Sequence, residues 1–549
     1  MRCAGSLFPA VFGGLFLAAC DSTGPGVAEC LSFLPVTLGV GEHTIVEPQP
    51  GLCVSLPPAG ASGAEHLYLP VATEGRETND GVSAPYAISG IASGTATTAR
   101  SSPLISAFQG RLPPDAFHSL LRARERDLSR QTTLELFGRG RVGAAPPPVV
   151  GDQGTFDVCA TTACRTFVST TATVRAVGDR VAVYVDNTAP AGGYTDADLV
   201  DVAALFDDHL YPIDIAAFGR ESDIDANGVV IVLLTQRVNA LSPDCNATES
   251  VILGYFFGAD LLPRGPNNPG SNEAEIFFGL VPDPDNPDCS VTEAFALSHL
   301  PSTFVHEFQH MISFNQHRLV RGTPAEDTWL NEGLSHFAEE LAGRQVPDTE
   351  CPISGSCAND FLAQGDLVNA FAYLESPEDF FLIEPGSSSG KLEERGANWL
   401  FVRWLVDHFA TDPLLGNDLT QRLVATNLVG AANVVAQTGV SFSTLVPEWQ
   451  LTNYLDDLPG FSQPSARLHY KTWNFREVAE ANSRAYPLVP DSTTGANYSH
   501  VGMLRAGSGK HVLVLQPADS GPVDFLLWGG IGESFPSVVD PRVAVVRIR

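Results

Sequence analysis

Residues 304–310 read Phe-Val-His-Glu-Phe-Gln-His, and whether His306, Glu307 and His310 meet a metal decides how the rest of the chain is read. Two histidines four apart on a helix stand on one face, one turn above the other. Their ring nitrogens can then converge on one ion, at about 2.0–2.1 Å each for zinc. Glu307 is the next residue round, near enough to meet a water beside such an ion without being a ligand. The helix is predicted from Phe304, Val305, Phe308, Met311 and Ile312, which recur at helical spacing behind an opening Pro301-Ser302. A motif this short also arises by accident, so its surroundings carry the argument.

Zinc in a catalytic site takes three protein ligands and keeps a fourth position open. A second helix is predicted downstream. Thr323-Pro324-Ala325-Glu326 has the form of a capping box with proline at the first helical position. The segment AEDTWLNEGLSHFAEELAG then runs to a stop near Gly343. Leu330, Leu334, Phe337 and Leu341 form its apolar stripe, and Glu332, His336, Glu339 and Glu340 fall on the opposite side. Taken alone these are a polar helix face on which Glu332 is one of several donors.

HEFQHMI followed by WLNEGL resembles the gluzincin metallopeptidases, in which a glutamate on the helix after His-Glu-x-x-His is the third ligand. Trp329-Leu330-Asn331-Glu332-Gly333 resembles the corresponding aminopeptidase N motif. The series FDDHLYPIDIAAFG, DIDANGVVIVLLT, SNEAEIFF, STFVHEFQHMISF and TWLNEGLSHFAEEL is more closely similar to the hyicolysin-type neutral zinc metallopeptidases. The resemblance covers roughly 155–460 and is specific around 302–341. It implies a thermolysin-like α+β domain acting on protein or peptide substrates. Zinc would be held by His306, His310 and Glu332, with Glu307 as general base toward a water. It also implies an oxyanion donor further along. RGANWLF carries Arg395 where the resemblance leads one to expect tyrosine, so Arg395, Tyr373 and His336 all stay open for that role. SNEAEIFF lies where such enzymes place the edge strand that pairs with substrate backbone. The Gly-x-Met-Glu-Asn element of aminopeptidases is not supplied by Gly270-Ser271-Asn272-Glu273, which favours an endopeptidase over a zinc aminopeptidase. A catalytically dead surface-binding or adhesion lipoprotein is the other alternative, and the intact Glu307 counts against it.

The chain has 549 residues, more than one core usually holds. A formal charge of −31 argues against nucleic acid as a partner, because phosphate binding needs a basic surface. With 44% hydrophobic and 17% charged residues, sizeable cores can form, and the chain is not a disordered acidic one. At the N-terminus Arg2 precedes LFPAVFGGLFLAAC, too short a run to span a bilayer. Leu17-Ala18-Ala19-Cys20 resembles a bacterial lipobox, which implies cleavage before Cys20 and a membrane anchor through lipid on that residue. The expectation is an exported, monomeric protein, anchored facing the periplasm or cell exterior, with an ordinary secretory signal as the alternative. Eight further cysteines, an even number outside the cytoplasm, read as disulfides. Pairing is open, and nearest neighbours (30–53, 159–164, 245–289, 351–357) are the simplest choice.

The predicted organisation is multidomain: a signal peptide (1–19), a small β-sandwich (20–92), a helical, Pro/Gly-rich linker or propeptide-like segment (93–150), the metallopeptidase domain (151–464) and a C-terminal β-sandwich or jelly roll (465–549). Residues Arg111 to Arg141 form the one basic stretch, read either as a solvated helix face or as a segment docking on the acidic body. Asp223-Ile224-Asp225-Ala226-Asn227-Gly228 copies the first half of an EF-hand loop, which makes Asp223, Asp225 and Asn227 candidate calcium ligands. The twelfth position, however, is Leu234 where a bidentate glutamate is needed, so a tight acidic turn is the competing reading.

Overall fold

The computed structural model describes residues 29–91, 115–131, 146–248, 250–347, 363–386, 390–461 and 467–549. The signal segment, Cys20 and the 351–357 cysteine pair lie outside these residues. The described part is an α+β assembly with three sheets.

A six-stranded sheet runs in the order Gly254–Phe256, Ile276–Gly279, Val230–Leu234, Val181–Asp186, Phe167–Val177, Gln153–Cys159. Val230–Leu234 is buried at every position and pairs in parallel on both sides, as an unbroken apolar run requires. The segment expected at the edge, SNEAEIFF, instead supplies the interior strand Ile276–Gly279, also buried throughout. Aromatic residues covered on both faces need neighbours on both sides. The edge passes to Gly254–Phe256, which runs antiparallel to it.

Five helices carry the site: α1 (Asp115–Gln131), α2 (Glu293–Phe314), α3 (Thr328–Gln345), α4 (Gln364–Glu375) and α5 (Leu392–Phe409). α2 begins well before the expected Pro301. Thr292 caps it by accepting from the Phe295 N–H, and Pro301 lies inside the helix. The capping box expected at Thr323 does not form, because the Glu326 carboxylate accepts from Gly430 N–H and the Asn433 side chain. α3 starts instead at Thr328, whose N–H donates to Glu77 at 2.7 Å, so a carboxylate from a distant loop takes the cap. Trp329, Trp399, Trp404 and Trp449 are fully buried between the helices. Among the described residues no helix is long and apolar enough to cross a membrane.

The remaining two sheets correct the expected domain plan. One has the order Ser32–Pro35, Leu52–Leu56, Val523–Trp528, Ser83–Ile91, Ser499–Arg505; the other is Asp491–Thr493, Val512–Gln516, Ala64–Ala72, Pro541–Arg547, His43–Val46. Both alternate strands from the two chain ends, and Tyr68 of one sheet stacks on Phe525 of the other at 4.7 Å. The two predicted β-domains are therefore one sandwich. Ala64–Ala72 is buried from His66 onward and needs a partner on each side, which only the C-terminal strands supply. Cysteine pairs 30–53, 159–164 and 245–289 are bonded, with Cα–Cα distances of 5.4, 4.7 and 4.7 Å.

Glu378, in the turn Pro377–Asp379, joins the helical part to the sandwich. It lies 3.2 Å from Lys510 Nζ and 3.2 Å from His500 Nε2, and Tyr86 donates to it at 3.2 Å. Burial alone would raise its carboxyl, but the His500 hydrogen bond and the Lys510 charge outweigh this and hold it at about 2, against an ordinary 4.5. A depressed folded-state value stabilises the fold above the unfolded value and loses that contribution as pH falls through 4.5 toward 2. The loss should reach about 3 kcal/mol. Thermal midpoints of wild type and Glu378→Gln between pH 5 and pH 2.5 test this: the variant should show the shallower fall, and equal slopes would remove the assignment.

Candidate metal centre

α2 and α3 pack side by side with their motif residues facing each other. His306 Nε2 is 3.2 Å from His310 Nε2 and 3.5 Å from Glu332 Oε2, and His310 Nε2 is 3.6 Å from Glu332 Oε1. Tetrahedral bonds of about 2.0–2.1 Å set ligand atoms about 3.3–3.4 Å apart, so these spacings suit one ion. The Glu332 carboxylate is fully buried with no hydrogen-bond donor on either oxygen among the described residues, an arrangement that costs several kcal/mol unless a cation meets it. The donor set fits zinc. Burial would raise the Glu332 carboxyl, but the charge of Arg395, then that of His310, holds it well below the carboxylate range. Gly333 follows Glu332 because α5 crosses there: a Cβ would come 2.8 Å from the Asn398 carbonyl oxygen.

Glu339 sits on the same face of α3, two turns beyond Glu332. It accepts from His306 Nδ1 at 2.7 Å. A carboxylate only accepts here, so Nδ1 carries the proton and Nε2 keeps its lone pair toward the centre. His336 Nδ1 lies 2.9 Å from Glu339 and 2.8 Å from Asp366. Burial would lower this imidazole, but Asp366 and Glu339 prevail and raise it to about 10, which makes it a cation. His306, Glu332 and His336 also offer ligand atoms within 4.8 Å of one another. His336 Nδ1 already faces Asp366 and Glu339, whereas His310 Nε2 lies 3.2 Å from His306 Nε2 and 3.6 Å from Glu332, so His310 is the better third member.

Glu307 Oε2 accepts from the Phe256 N–H of the edge strand at 2.8 Å, and His118 Nδ1 of α1 lies 3.3 Å from Oε1. Burial would raise the Glu307 carboxyl, but His118, His310 and His306 together lower it to about 2. A cleft of about 540 Å³ opens over these groups, bounded by residues 250–254, α2, α3 and α4, and reached by Arg395, His336 and His118.

Tyr373 is not part of this arrangement. It is fully buried, its hydroxyl accepts from Gln450 Nε2 at 2.8 Å, and its ring stacks on Trp449. The polar face of α3 is interior: Glu332 and Glu340 have no exposed surface and His336 has 7%. α1 is likewise not a solvated helix, since Arg122, Glu125 and Arg126 are buried. In the 223–228 loop, Asp223 and Asp225 come together with Glu275, and Asn227 Nδ2 donates to Asp225 at 2.8 Å. The Asn227 side-chain oxygen turns back to the Val229 N–H, and Leu234 lies in a strand. Sequence reading missed Glu339 as an orienting group, Asp366, Phe256 and His118. The two-turn spacing from Glu332 was a signal for Glu339. Nothing local points to the others, which arrive from distant elements.

No protein-family model matches the chain. A stretch of 150 residues is 30% identical to the neutral metalloprotease ShpI of Staphylococcus hyicus, covering 27% of this chain and 31% of that protein. The chain thus matches about a third of that relative's length. This partial likeness is to a metalloprotease, and the described residues of this chain include a buried His/Glu cluster able to hold a metal ion. The disulfides agree with an exported protein.

Proposed function

We propose that the chain is a zinc-dependent endopeptidase of the gluzincin type, with His306, His310 and Glu332 as ligands and Glu307 as general base. The observation that carries this is the mutual spacing of three ligand atoms on two adjacent helices, with Glu307 beside them at a cleft bounded by an edge strand. Zinc held there would serve as a Lewis acid toward the scissile carbonyl and would render a water acidic near neutral pH. Glu307 takes that water's proton during attack and passes it to the departing amine. His336, fixed at Nδ1 by Asp366 and Glu339, presents its Nε2–H to the cleft as a donor for the tetrahedral oxyanion, and Arg395 adds positive charge from α5. Glu339 holds the His306 tautomer. Protein or peptide substrates would reach the site outside the cytoplasm, with the chain anchored through lipid on Cys20.

The test is the zinc content of the purified soluble protein together with cleavage of peptides blocked at both ends. About one zinc per chain is expected, falling below a tenth in His310→Ala, with cleavage lost in parallel. A zinc-free wild type, or a His310→Ala enzyme that still cleaves, would end the proposal. Hydrolysis confined to free amino-acyl anilides would move the reading to an aminopeptidase.

A further inference from the structure

The free side of the edge strand is where an extended peptide would add itself, exchanging backbone hydrogen bonds with that strand. Phe256 turns both its N–H and its C=O away from the sheet: the N–H goes to Glu307, and the C=O accepts from Arg122 Nη2 of α1 at 2.5 Å. Two residues on, the Gly258 N–H donates to Glu125 of α1 at 2.6 Å. A substrate strand along this edge would need the same carbonyl and the same amide. His118 lies one turn before Arg122 on the same face of α1, and its Nδ1 stands 3.3 Å from Glu307 Oε1. Three side chains at positions i, i+4 and i+7 therefore cover the catalytic carboxylate, the last carbonyl of the edge strand and the Gly258 amide that opens the 3-10 turn after it.

The same helix is held firmly. Arg122 and Glu125 pair with each other at 3.2 Å, and Arg126 pairs with Glu77, the residue that caps α3, and with Asp327 at 3.6 Å. Phe117 packs edge-on against Tyr255 of the edge strand at 5.1 Å. Charged side chains this deeply buried make sense when each meets a partner of fixed geometry, and here the partners are the groups a substrate would use. The part of the cleft along residues 250–254 stays open, so α1 closes one side of the site and leaves the other accessible.

Building on the endopeptidase reading above, we propose that α1 is a built-in competitor of the substrate. Arg122 and Glu125 take the place of a substrate strand's backbone where the edge strand ends, at the Phe256 carbonyl and the Gly258 amide, His118 covers Glu307, and hydrolysis requires α1 to be displaced. Arg122 offers N–H where a strand would offer N–H, and Glu125 offers an acceptor where a strand would offer C=O. Loosening α1 must then relieve competition, which appears mainly in KM.

The experiment compares the full chain with Arg122→Ala/Glu125→Ala on an internally quenched peptide, and follows amide hydrogen exchange at Gly258 in both. The variant should raise kcat/KM by about tenfold or more, chiefly through KM, as expected for loss of charge-assisted bonds that oppose binding. Exchange at Gly258 should quicken, and a synthetic peptide of residues 115–131 added in trans should restore inhibition competitively. A kcat/KM that is unchanged or lowered in a folded, zinc-replete variant would show α1 to be a permanent wall and overturn the proposal. If no form of the chain cleaves any peptide, the endopeptidase reading fails, and Gly258 exchange still decides about α1: an unaltered rate overturns it. Should the double variant not fold, Glu125→Leu, which removes the acceptor at similar size, replaces it with the same expected signs.

Discussion

Glu307→Gln is expected to lower kcat/KM by about a thousandfold while zinc content stays at the wild-type level. Glutamine has the same shape and keeps an oxygen to accept from the Phe256 N–H, so the edge strand stays in place. What it lacks is a basic site for the water's proton. None of the three ligand atoms belongs to residue 307, so metal retention separates loss of chemistry from loss of the centre. Turnover by Glu307→Gln above a tenth of wild type would assign proton transfer to another group. Because His118 stands against the other carboxylate oxygen, the measurement is best repeated in the Arg122→Ala/Glu125→Ala background.

The largest expected effect on stability is at Glu340, one residue after the orienting Glu339. It has no exposed surface and accepts from Arg344 at 2.8 Å, Arg403 at 3.1 Å, Trp473 at 2.9 Å and Trp399 at 3.0 Å. Burial alone would raise its carboxyl, but Arg403 and Arg344 outweigh this and keep it below the usual value. Arg403 is also wholly buried and would keep only Asp407 as a charged partner once Glu340 is gone. Glu340→Ala should therefore cost about 3–5 kcal/mol, the penalty for breaking a buried pair and leaving an uncompensated charge. Denaturant unfolding monitored by tryptophan fluorescence would measure it, and a change under 1 kcal/mol would contradict the interpretation. Because Glu340 ties α3 to α5, partial loss of zinc at sub-denaturing temperature should accompany the loss of stability.

How far the sequence could be read differs from element to element. The shared face of His306 and His310 on α2 was legible because helical spacing is local: residues four apart share a face whatever surrounds them; Glu332 was singled out only by the resemblance that WLNEGL carries. Val230–Leu234 was legible as a buried strand because its apolar run is unbroken. The burial of this face of α3 was not legible, because amphipathicity reports polarity and not exposure. Glu332, His336, Glu339 and Glu340 form a polar stripe, yet Glu332 and Glu339 meet His306 of α2, His336 meets Asp366 of α4, and Glu340 meets Arg403 of α5. Tyr373 was a candidate by residue type alone, and its burial against Trp449 removes it.

By itself the sequence determined the spacing of the His-Glu-x-x-His motif, the buried strand Val230–Leu234 and the net negative charge. Each of these follows from covalent neighbours or from composition. Only the tertiary structure decided that both chain ends share one sandwich, that Gly254–Phe256 and not Ile276–Gly279 is the sheet edge, and that α1 lies on that edge with His118 against Glu307. The physical reason is common to all three. Backbone hydrogen bonds and buried charges demand partners without specifying where along the chain these lie, so the choice is made by packing among segments hundreds of residues apart.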